Sequence, residues 1–231
     1  MSWRGQLILK KLLNTLIKMS KIYFAADLHI GHKGILKYCP ERPFADSGDI
    51  IEHDKYLIGL WKRTVNPSDI VYLVGDLCLL RSEDARKLLE TLPGNIHSIS
   101  GNHDGSLRSH SNYFESVSQI KEIVIKASRN SILNEDLRIV LSHYPMLDWN
   151  NKFDGAVMLH GHTHGNLDAF NKESEDLRFD VGIDGVLARS CSCSGEYAGL
   201  VSLEALCEAI LKKTGGLTPS EYAKKTYVSS L

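Results

Sequence analysis

The sequence lacks the features of a secreted or membrane-spanning protein. Its 231 residues include only five cysteines, an odd number without a C-x-x-C pair, which is typical of reduced thiols in a cytoplasmic protein. No stretch is apolar for long enough to cross a bilayer. Cys191 and Cys193 lie in a run of small residues, and because no second ligand pair has matching spacing, an ordinary loop is favoured over a zinc site.

An excess of charge of one sign is also missing. The 27 Lys and Arg residues nearly balance the 28 Asp and Glu residues, so the chain has no global positive field of the kind that attracts nucleic acid. A local basic groove is the one nucleic-acid site that this composition leaves open. The length suffices for one sizeable α/β domain with its own core, whereas the oligomeric state stays undetermined.

Residues 1–18 differ from the rest of the chain. They contain four basic residues and no acid, with leucines at helical spacing between positions 9 and 16. This pattern predicts either a basic amphipathic helix that contacts an anionic membrane surface or an extension from an upstream start codon, which would be a non-essential helix or a disordered tail. The extension is favoured, because Met19 stands directly before the first predicted strand. The folded domain is therefore placed at residues 19–231.

Apolar strand patterns alternate with amphipathic helix patterns over the rest of the chain, which indicates an α/β protein. Helices are predicted at 49–63, from a cap at Ser82 to Pro93, and from Leu203 to Leu211, followed by a capping box at 218–221. The predicted strands are 21–26, 70–74, 96–100, 137–141, 157–159 and 199–201.

A polar cluster follows each of five predicted strands. Ligand sites of α/β sheets form at the carboxyl ends of strands. Carboxylates, an amide and imidazoles together suit Mn, Fe, Zn or Ni better than Mg, which prefers oxygen. Singly, such residues are more often helix caps or turn residues, but jointly they predict a metal site. The clusters are Asp27-x-His29, Gly75-Asp76, Gly101-Asn102-His103-Asp104, His143 and His162-x-His164.

In order and at loose spacing, these clusters match the motifs D-x-H, G-D, G-N-H-D/E, H and G-H-x-H. The sequence therefore resembles the calcineurin-like metallophosphoesterases. The stretch DLHIGHKGILKYCPERPF is similar to the opening of small bacterial and phage members of this superfamily. The resemblance implies two packed mixed β-sheets flanked by helices, a four-layer α/β/β/α sandwich with its site at the strand carboxyl ends.

The resemblance also implies a binuclear centre of two divalent transition-metal ions, with Mn favoured and Fe, Zn or Ni as alternatives. Asp76 would bridge the two ions, and a water between them, made acidic by both, would attack phosphorus. The ligands fall into a first ligand set, Asp27, His29 and His164, and a second ligand set, Asn102, His143 and His162.

Other polar residues have expected roles around this centre. His103 would protonate the leaving oxygen, and Asp104 would orient its imidazole. His32 and Arg42 are candidate substrate contacts, although Arg42 would equally suit a surface pair with a nearby acid. Asp184 is expected to organise a glycine turn. The remaining histidines are expected to be structural or exposed: His53, His97, His110 and His160.

The implied activity is hydrolysis of a small phosphodiester or phosphomonoester, with nucleotides or cyclic phosphates favoured. Short loops after the strands argue against bulky substrates. A nuclease of the same superfamily is an alternative that the balanced charge disfavours. A metal-binding scaffold without catalysis is another, which the complete motif set disfavours. The aromatic residues that these loops offer for stacking on a base are Tyr113, Phe114, Trp149, Phe153 and Phe170.

Overall fold

Two mixed sheets form the frame of the protein in the computed structural model, which describes residues 20–190 and 199–228. The first sheet has the order β4-β3-β2-β1-β9 and the second has the order β5-β6-β7-β8. This confirms the predicted architecture of two sheets flanked by helices. The strands are β1 (Ile22–Ala25), β2 (Ile70–Leu73), β3 (Asn95–Ile99), β4 (Ser116–Ser118), β5 (Ile120–Ile125), β6 (Leu137–Ser142), β7 (Val157–His160), β8 (Arg178–Asp180) and β9 (Val201–Ser202).

Most strand pairs are parallel, which determines where the loops gather. In the first sheet β1 to β4 run parallel and β9 is antiparallel to β1. In the second sheet β6, β7 and β8 run parallel and β5 is antiparallel to β6. The carboxyl ends of β1, β2 and β3 therefore share one edge, as do those of β6 and β7. An isolated bridge from Ala26 to Gly182 links the region after β1 to the region after β8.

An apolar layer lies between the two sheets. Phe24 and Ile99 from the first sheet and Leu141 and Leu159 from the second are fully buried in one cluster. Tyr23 and Ala25, on either side of Phe24 in β1, lie on the opposite face of the first sheet and pack beneath helices. Successive residues of a strand face opposite sides of a sheet. Burial on both faces explains why the central strands are continuous apolar runs.

The helices Ile50–Thr64 and Ser82–Leu89 cover the outer face of the first sheet. The helix Leu203–Thr214 instead adds Leu203, Leu206 and Ile210 to the cluster between the two sheets. Asp49 caps its helix by accepting hydrogen bonds from the N–H groups of Ile51 and Glu52, and Thr218 with Glu221 forms the predicted capping box. The helices are α1 (Ile35–Tyr38), α2 (Ile50–Thr64), α3 (Ser82–Leu89), α4 (Asp168–Glu173), α5 (Val186–Ser190), α6 (Leu203–Thr214) and α7 (Pro219–Ala223).

Some predictions are corrected or fall outside the described residues. Ser82 is the first residue of α3 and not its cap, which is Arg81; the Ser82 hydroxyl contacts His110 instead. Residues 1–18, Cys191 and Cys193 lie outside the described residues. Within residues 20–190 and 199–228, no helix has the length and apolarity needed to cross a membrane.

Candidate metal centre

The five polar clusters meet where the loops leave the strands. Backbone hydrogen bonds join the loop after β1 to the loop after β2, from Asp27 N to Gly75 O at 3.1 Å and from His29 N to Asp76 O at 3.0 Å. The two sheets are joined as well, because the N–H of His162 donates to the Asp27 carboxylate at 2.9 Å. The fold thus brings residues from both sheets into one site.

The three residues of the first ligand set lie close together. One potential ligand atom from each of its three residues lies within 4.8 Å of the others. The rings of His29 and His164 are stacked with centroids 5.0 Å apart. Asp27 and His29 are almost completely buried, whereas His164 is half-buried.

Asp76 lies between the two ligand sets. Its Oδ2 is 3.6 Å from His29 Nε2 and 3.4 Å from His143 Nε2. Burial raises the pKa of Asp76, but hydrogen bonds from His143 and from the N–H of His103 outweigh burial and lower it. Asp76 is therefore a buried carboxylate that stays ionised between imidazoles of both sets.

The second ligand set lies on the other side of Asp76. His143 Nε2 is 3.0 Å from Asn102 Oδ1, and the ring of His162 is 5.1 Å from that of His143. His143 Nδ1 is 2.9 Å from the carbonyl oxygen of Val74. Asn102 and His162 are exposed, so this half of the site opens to solvent.

The chemistry of these residues fits bound cations. Both ring nitrogens of His29 are buried and, among the described residues, have no hydrogen-bond partner. Burial, together with the nearby carboxylate of Asp180, raises the pKa of Asp27 to about 8. Buried polar groups without partners are costly. A divalent cation would supply the missing partner for His29 and the missing charge for Asp27.

A sequence model of the calcineurin-like phosphoesterase family, Metallophos, matches residues 20–166. The chain belongs to the calcineurin-like phosphoesterase family. It is therefore a metal-dependent phosphoesterase, and all seven candidate ligands, from Asp27 to His164, lie within the matched region.

Proteins from an archaeon, a phage and a bacterium are similar to this chain over most of its length. The uncharacterized protein MJ1445 of Methanocaldococcus jannaschii is 36% identical over 65% of this chain and 73% of its own. The Gene 66 protein of Mycobacterium phage L5 is 29% identical over 72% of this chain and 87% of its own. The crystal structure of AQ665 from Aquifex aeolicus, a protein of unknown function, has a TM-score of 0.57 at 22% identity and covers 84% of this chain and 98% of its own. That last similarity shows the fold.

Backbone strain is concentrated at the candidate metal ligands. Seven non-glycine residues of the described chain have positive φ, and five of them belong to the ligand clusters. Such conformations cost about 1–3 kcal/mol each and persist where the surroundings impose them. The five are Asp27 (58°), His29 (54°), Asp76 (57°), His162 (68°) and His164 (48°).

Glycine in the motifs makes room for the ligand side chains. A Cβ at Gly75 would overlap the ring of His143, and one at Gly161 would lie 2.6 Å from Asp27 Oδ2. Gly75 also has φ of 91°, which glycine alone adopts without strain. The G-D and G-H-x-H motifs thus require glycine for steric reasons that are separate from metal binding.

Asp104 has a different position from the one expected. Its buried carboxylate accepts hydrogen bonds from the N–H groups of Asp76 at 3.0 Å, Leu77 at 3.0 Å and Gly101 at 2.8 Å. Both oxygens are therefore engaged by the loops after β2 and β3. This corrects the expectation that Asp104 orients the His103 imidazole, since the carboxylate holds those two loops together.

His103 and His32 lie at the mouth of the site. His103 is exposed, and its ring is 5.2 Å from that of His29. The backbone N–H of His103 donates to Asp76 Oδ1 at 2.8 Å. His32 stacks on His103 with centroids 5.9 Å apart. A potential ligand atom of His103 also lies within 4.8 Å of those of His29 and Asp76, so the geometry suits both a proton donor and a ligand.

Arg42 is not a substrate clamp on the surface. Only 2% exposed, it forms a bidentate pair with Asp184, with Nε to Oδ1 at 2.8 Å and Nη2 to Oδ2 at 2.6 Å. This corrects both expectations for Arg42, because the pair lies in the interior. It also corrects Asp184, which accepts these bonds instead of only organising a turn.

Two residues at the site were missed by the sequence analysis. Asp180, at the end of β8, accepts hydrogen bonds from Thr163 Oγ1 at 2.7 Å and from the N–H of Gly165 at 3.1 Å, which supports the loop that carries His164. Tyr144 is half exposed, with its ring 4.6 Å from His162. Neither belongs to a motif, although Tyr144 directly follows His143, the motif histidine after β6.

The remaining histidines have partners away from the ligand sets, as expected of structural residues. His53 contacts the Asp54 carboxylate, His97 contacts the Ser116 hydroxyl, and His110 contacts Ser82. His160 is fully buried and lies 3.0 Å from the amide nitrogen of Asn171.

Proposed function

We propose that this chain is a binuclear phosphoesterase that hydrolyses small phosphate esters. The observation that carries the proposal is the position of Asp76 Oδ2, 3.6 Å from a nitrogen of His29 and 3.4 Å from a nitrogen of His143. These histidines belong to different ligand sets, so one carboxylate is within reach of both. Two divalent ions, with Mn favoured, would polarise the phosphate and activate a water molecule when bound.

The protein's own contribution is to hold the ligands rigid and to supply a proton. Strained backbone and glycine contacts fix the ligand loops before any substrate arrives. His103 sits at the solvent side of Asp76, anchored to it through its N–H. From there its imidazole donates a proton to the departing alcohol oxygen, the role of a general acid.

Two tyrosines favour nucleotides or cyclic phosphates as substrates. Tyr144 stands beside His162, and Tyr38, 77% exposed, lies with its ring 6.2 Å from that of His32. Both could stack on a base while its phosphate faces the ligands. Three of the five aromatics expected to do this are less suitable: Phe114 and Trp149 are buried, and Phe170 covers Arg178.

Metal analysis combined with turnover tests the proposed function. Protein purified without chelator and loaded with Mn should hold two ions per chain by elemental mass spectrometry and should hydrolyse bis-p-nitrophenyl phosphate. Two bound ions without turnover on any phosphate ester would indicate a scaffold protein. One bound ion with full turnover would refute the binuclear centre.

A further inference from the structure

We infer that Arg42 and Asp184 form a positioning pair that acts on the first ligand set and sets the affinity of that metal site alone. The inference rests on the proposed function, because it takes His164 as a metal ligand. Neither residue belongs to the five motifs, and Asp184 lies beyond the residues that the family model matches.

The pair is buried and its geometry is specific. The guanidinium meets the Asp184 carboxylate through two parallel hydrogen bonds of 2.8 and 2.6 Å, with 2% and 6% exposure of the two residues. A buried ion pair often contributes little net stability, because desolvation offsets the attraction between the charges. Its presence beside the ligands is better explained by the geometry that it imposes than by stability.

Asp184 fixes the orientation of His164. The same Oδ2 that Arg42 contacts lies 2.7 Å from His164 Nδ1. A carboxylate paired with arginine can only accept, so Nδ1 must donate the hydrogen bond. The lone pair of Nε2 is then free to bind a cation. In many metal sites a histidine ligand donates its other ring N–H to a carboxylate in the same way.

Arg42 fixes the other part of the same ligand set. Its Nη2 donates to the backbone carbonyl of Asp27 at 2.6 Å, and its Nη1 donates to that of Leu28 at 3.0 Å. These carbonyls belong to the strained turn that carries Asp27 and His29. One guanidinium therefore connects the turn after β1 to the carboxylate that orients His164.

The second ligand set has a different support. His143 is held through Nδ1 by the backbone carbonyl of Val74 at 2.9 Å, and this carbonyl comes from the loop after β2. Loss of the Arg42–Asp184 pair should thus loosen one metal site and leave the other as it is. An asymmetric loss of this kind distinguishes a positioning role from general destabilisation.

The test is the metal affinity of Asp184→Asn, measured without reference to turnover. Protein is dialysed against a series of free Mn concentrations, and bound Mn is counted per chain, with electron paramagnetic resonance of the loaded samples. We expect one ion to bind about 10–100-fold more weakly and the other to keep its affinity. The spectrum of a coupled Mn pair should change to that of an isolated ion. Arg42→Lys keeps the positive charge but cannot form the two parallel hydrogen bonds to Asp184. It should weaken the binding of the same ion by a smaller factor.

A matched control and a reference variant complete the design. Asp69→Asn removes a similarly buried carboxylate, 2% exposed, that accepts from the N–H groups of Lys21 and Asn66 before β2, at the opposite end of the sheet. It should bind both ions like the parent. His164→Ala should lose the ion that Asp184→Asn binds more weakly. If Asp184→Asn alone does not fold, the double variant Arg42→Met/Asp184→Asn, which leaves no unpaired charge, is measured in its place.

Three results would overturn the inference. They are unchanged affinity for both ions in Asp184→Asn, equal weakening of both ions, and a weakening that Asp69→Asn reproduces. A chain that folds in neither variant would make the pair a structural requirement and would also refute the positioning role. If the parent itself binds fewer than two ions, the proposed binuclear function fails and not this inference.

Discussion

Asp76 is the residue on which the binuclear proposal depends most directly. Asp76→Asn keeps the size of the side chain but removes the negative charge between His29 and His143, so two cations would no longer be neutralised there. We expect both ions to bind far more weakly and activity to fall by several orders of magnitude. Elemental analysis after dialysis measures the first effect, and a variant that retains two tightly bound ions would contradict the bridging role.

His103 is predicted to act in chemistry and not in metal binding. General acid catalysis typically contributes about 10²–10⁴ in rate. His103→Ala should lose that much on a diester with an alkyl leaving group and much less on p-nitrophenyl esters, whose leaving group departs without a proton. Metal content should equal that of the parent. Loss of an ion in His103→Ala would favour the other arrangement that the geometry permits, with His103 as a ligand beside His29 and Asp76.

For single residues, the sequence motifs identify the candidate ligands but not the hydrogen-bond partners of the residues around them. The seven candidate ligands can be listed from sequence because each follows an apolar strand, and the parallel sheets bring them together. The partners of Asp104 and Arg42 cannot be listed in this way. Adjacency suggested His103 as the partner of Asp104, but side-chain direction in the turn sends the carboxylate to backbone N–H groups of two loops. Asp184 is 142 residues from Arg42, and no local pattern connects them.

The loops that carry the ligands depend on glycine, and Gly75 tests this at the scale of an element. Gly75→Ala would introduce a Cβ into the ring of His143 at a backbone φ of 91°. We expect a loss of about 1–3 kcal/mol in the free energy of unfolding, measured by urea denaturation, together with weaker metal binding. The loop after β2 would have to move to admit the methyl group.

Gly48 provides the matched control for Gly75. It has a positive φ of 66°, but nothing lies within 4 Å of a Cβ placed there. Gly48→Ala therefore measures the backbone strain without the overlap, and it should leave metal binding unchanged. If the two variants lose the same free energy and both retain metal, the contact with His143 has no role in shaping the loop.

The elements that sequence analysis found are those with strong burial. The central strands and α2 were predicted because continuous apolar runs and a 3.6-residue period are visible in one window. The strands β4 and β8 have only three residues each, too few to show a period. β5 has six residues with alternating exposure, but its Lys and Glu hide the pattern, and its place is decided by pairing with β6. Short edge elements thus depend on tertiary contacts.

At the scale of the whole molecule, the site is predicted to be independent of residues 1–18. Every candidate ligand and positioning residue lies between Asp27 and Asp184. A chain that begins at Met19 should therefore keep its metal content and its kcat/KM on a p-nitrophenyl diester. Binding to anionic liposomes, measured by co-sedimentation, should be compared in the same two chains. Loss of activity on deletion would place these residues against the domain, and loss of liposome binding alone would support the membrane-surface interpretation.

Substrate size is the property that the whole fold determines. The metal ligands contact only phosphate, so selectivity must come from what surrounds them. The segment after β3, Asp104–Tyr113, is 3₁₀-helical with a kink at His110 and packs toward α3. Tyr144 and Tyr38 are exposed beside the candidate ligands. A compact nucleotide can place its base on a tyrosine and its phosphate at the ligands, whereas the balanced net charge offers a long duplex little attraction.

We therefore expect kcat/KM to be highest for a small nucleotide diester, compared with a phosphorylated peptide and a long DNA duplex at one ionic strength. A preference of tenfold corresponds to about 1.4 kcal/mol of transition-state binding. Tyr144→Ala should reduce the preference for the nucleotide diester over methyl p-nitrophenyl phosphate, which has no base, while Tyr144→Phe should keep it, because stacking needs the ring and not the hydroxyl. A tenfold preference for the duplex or the peptide would show that surfaces beyond these tyrosines select the substrate.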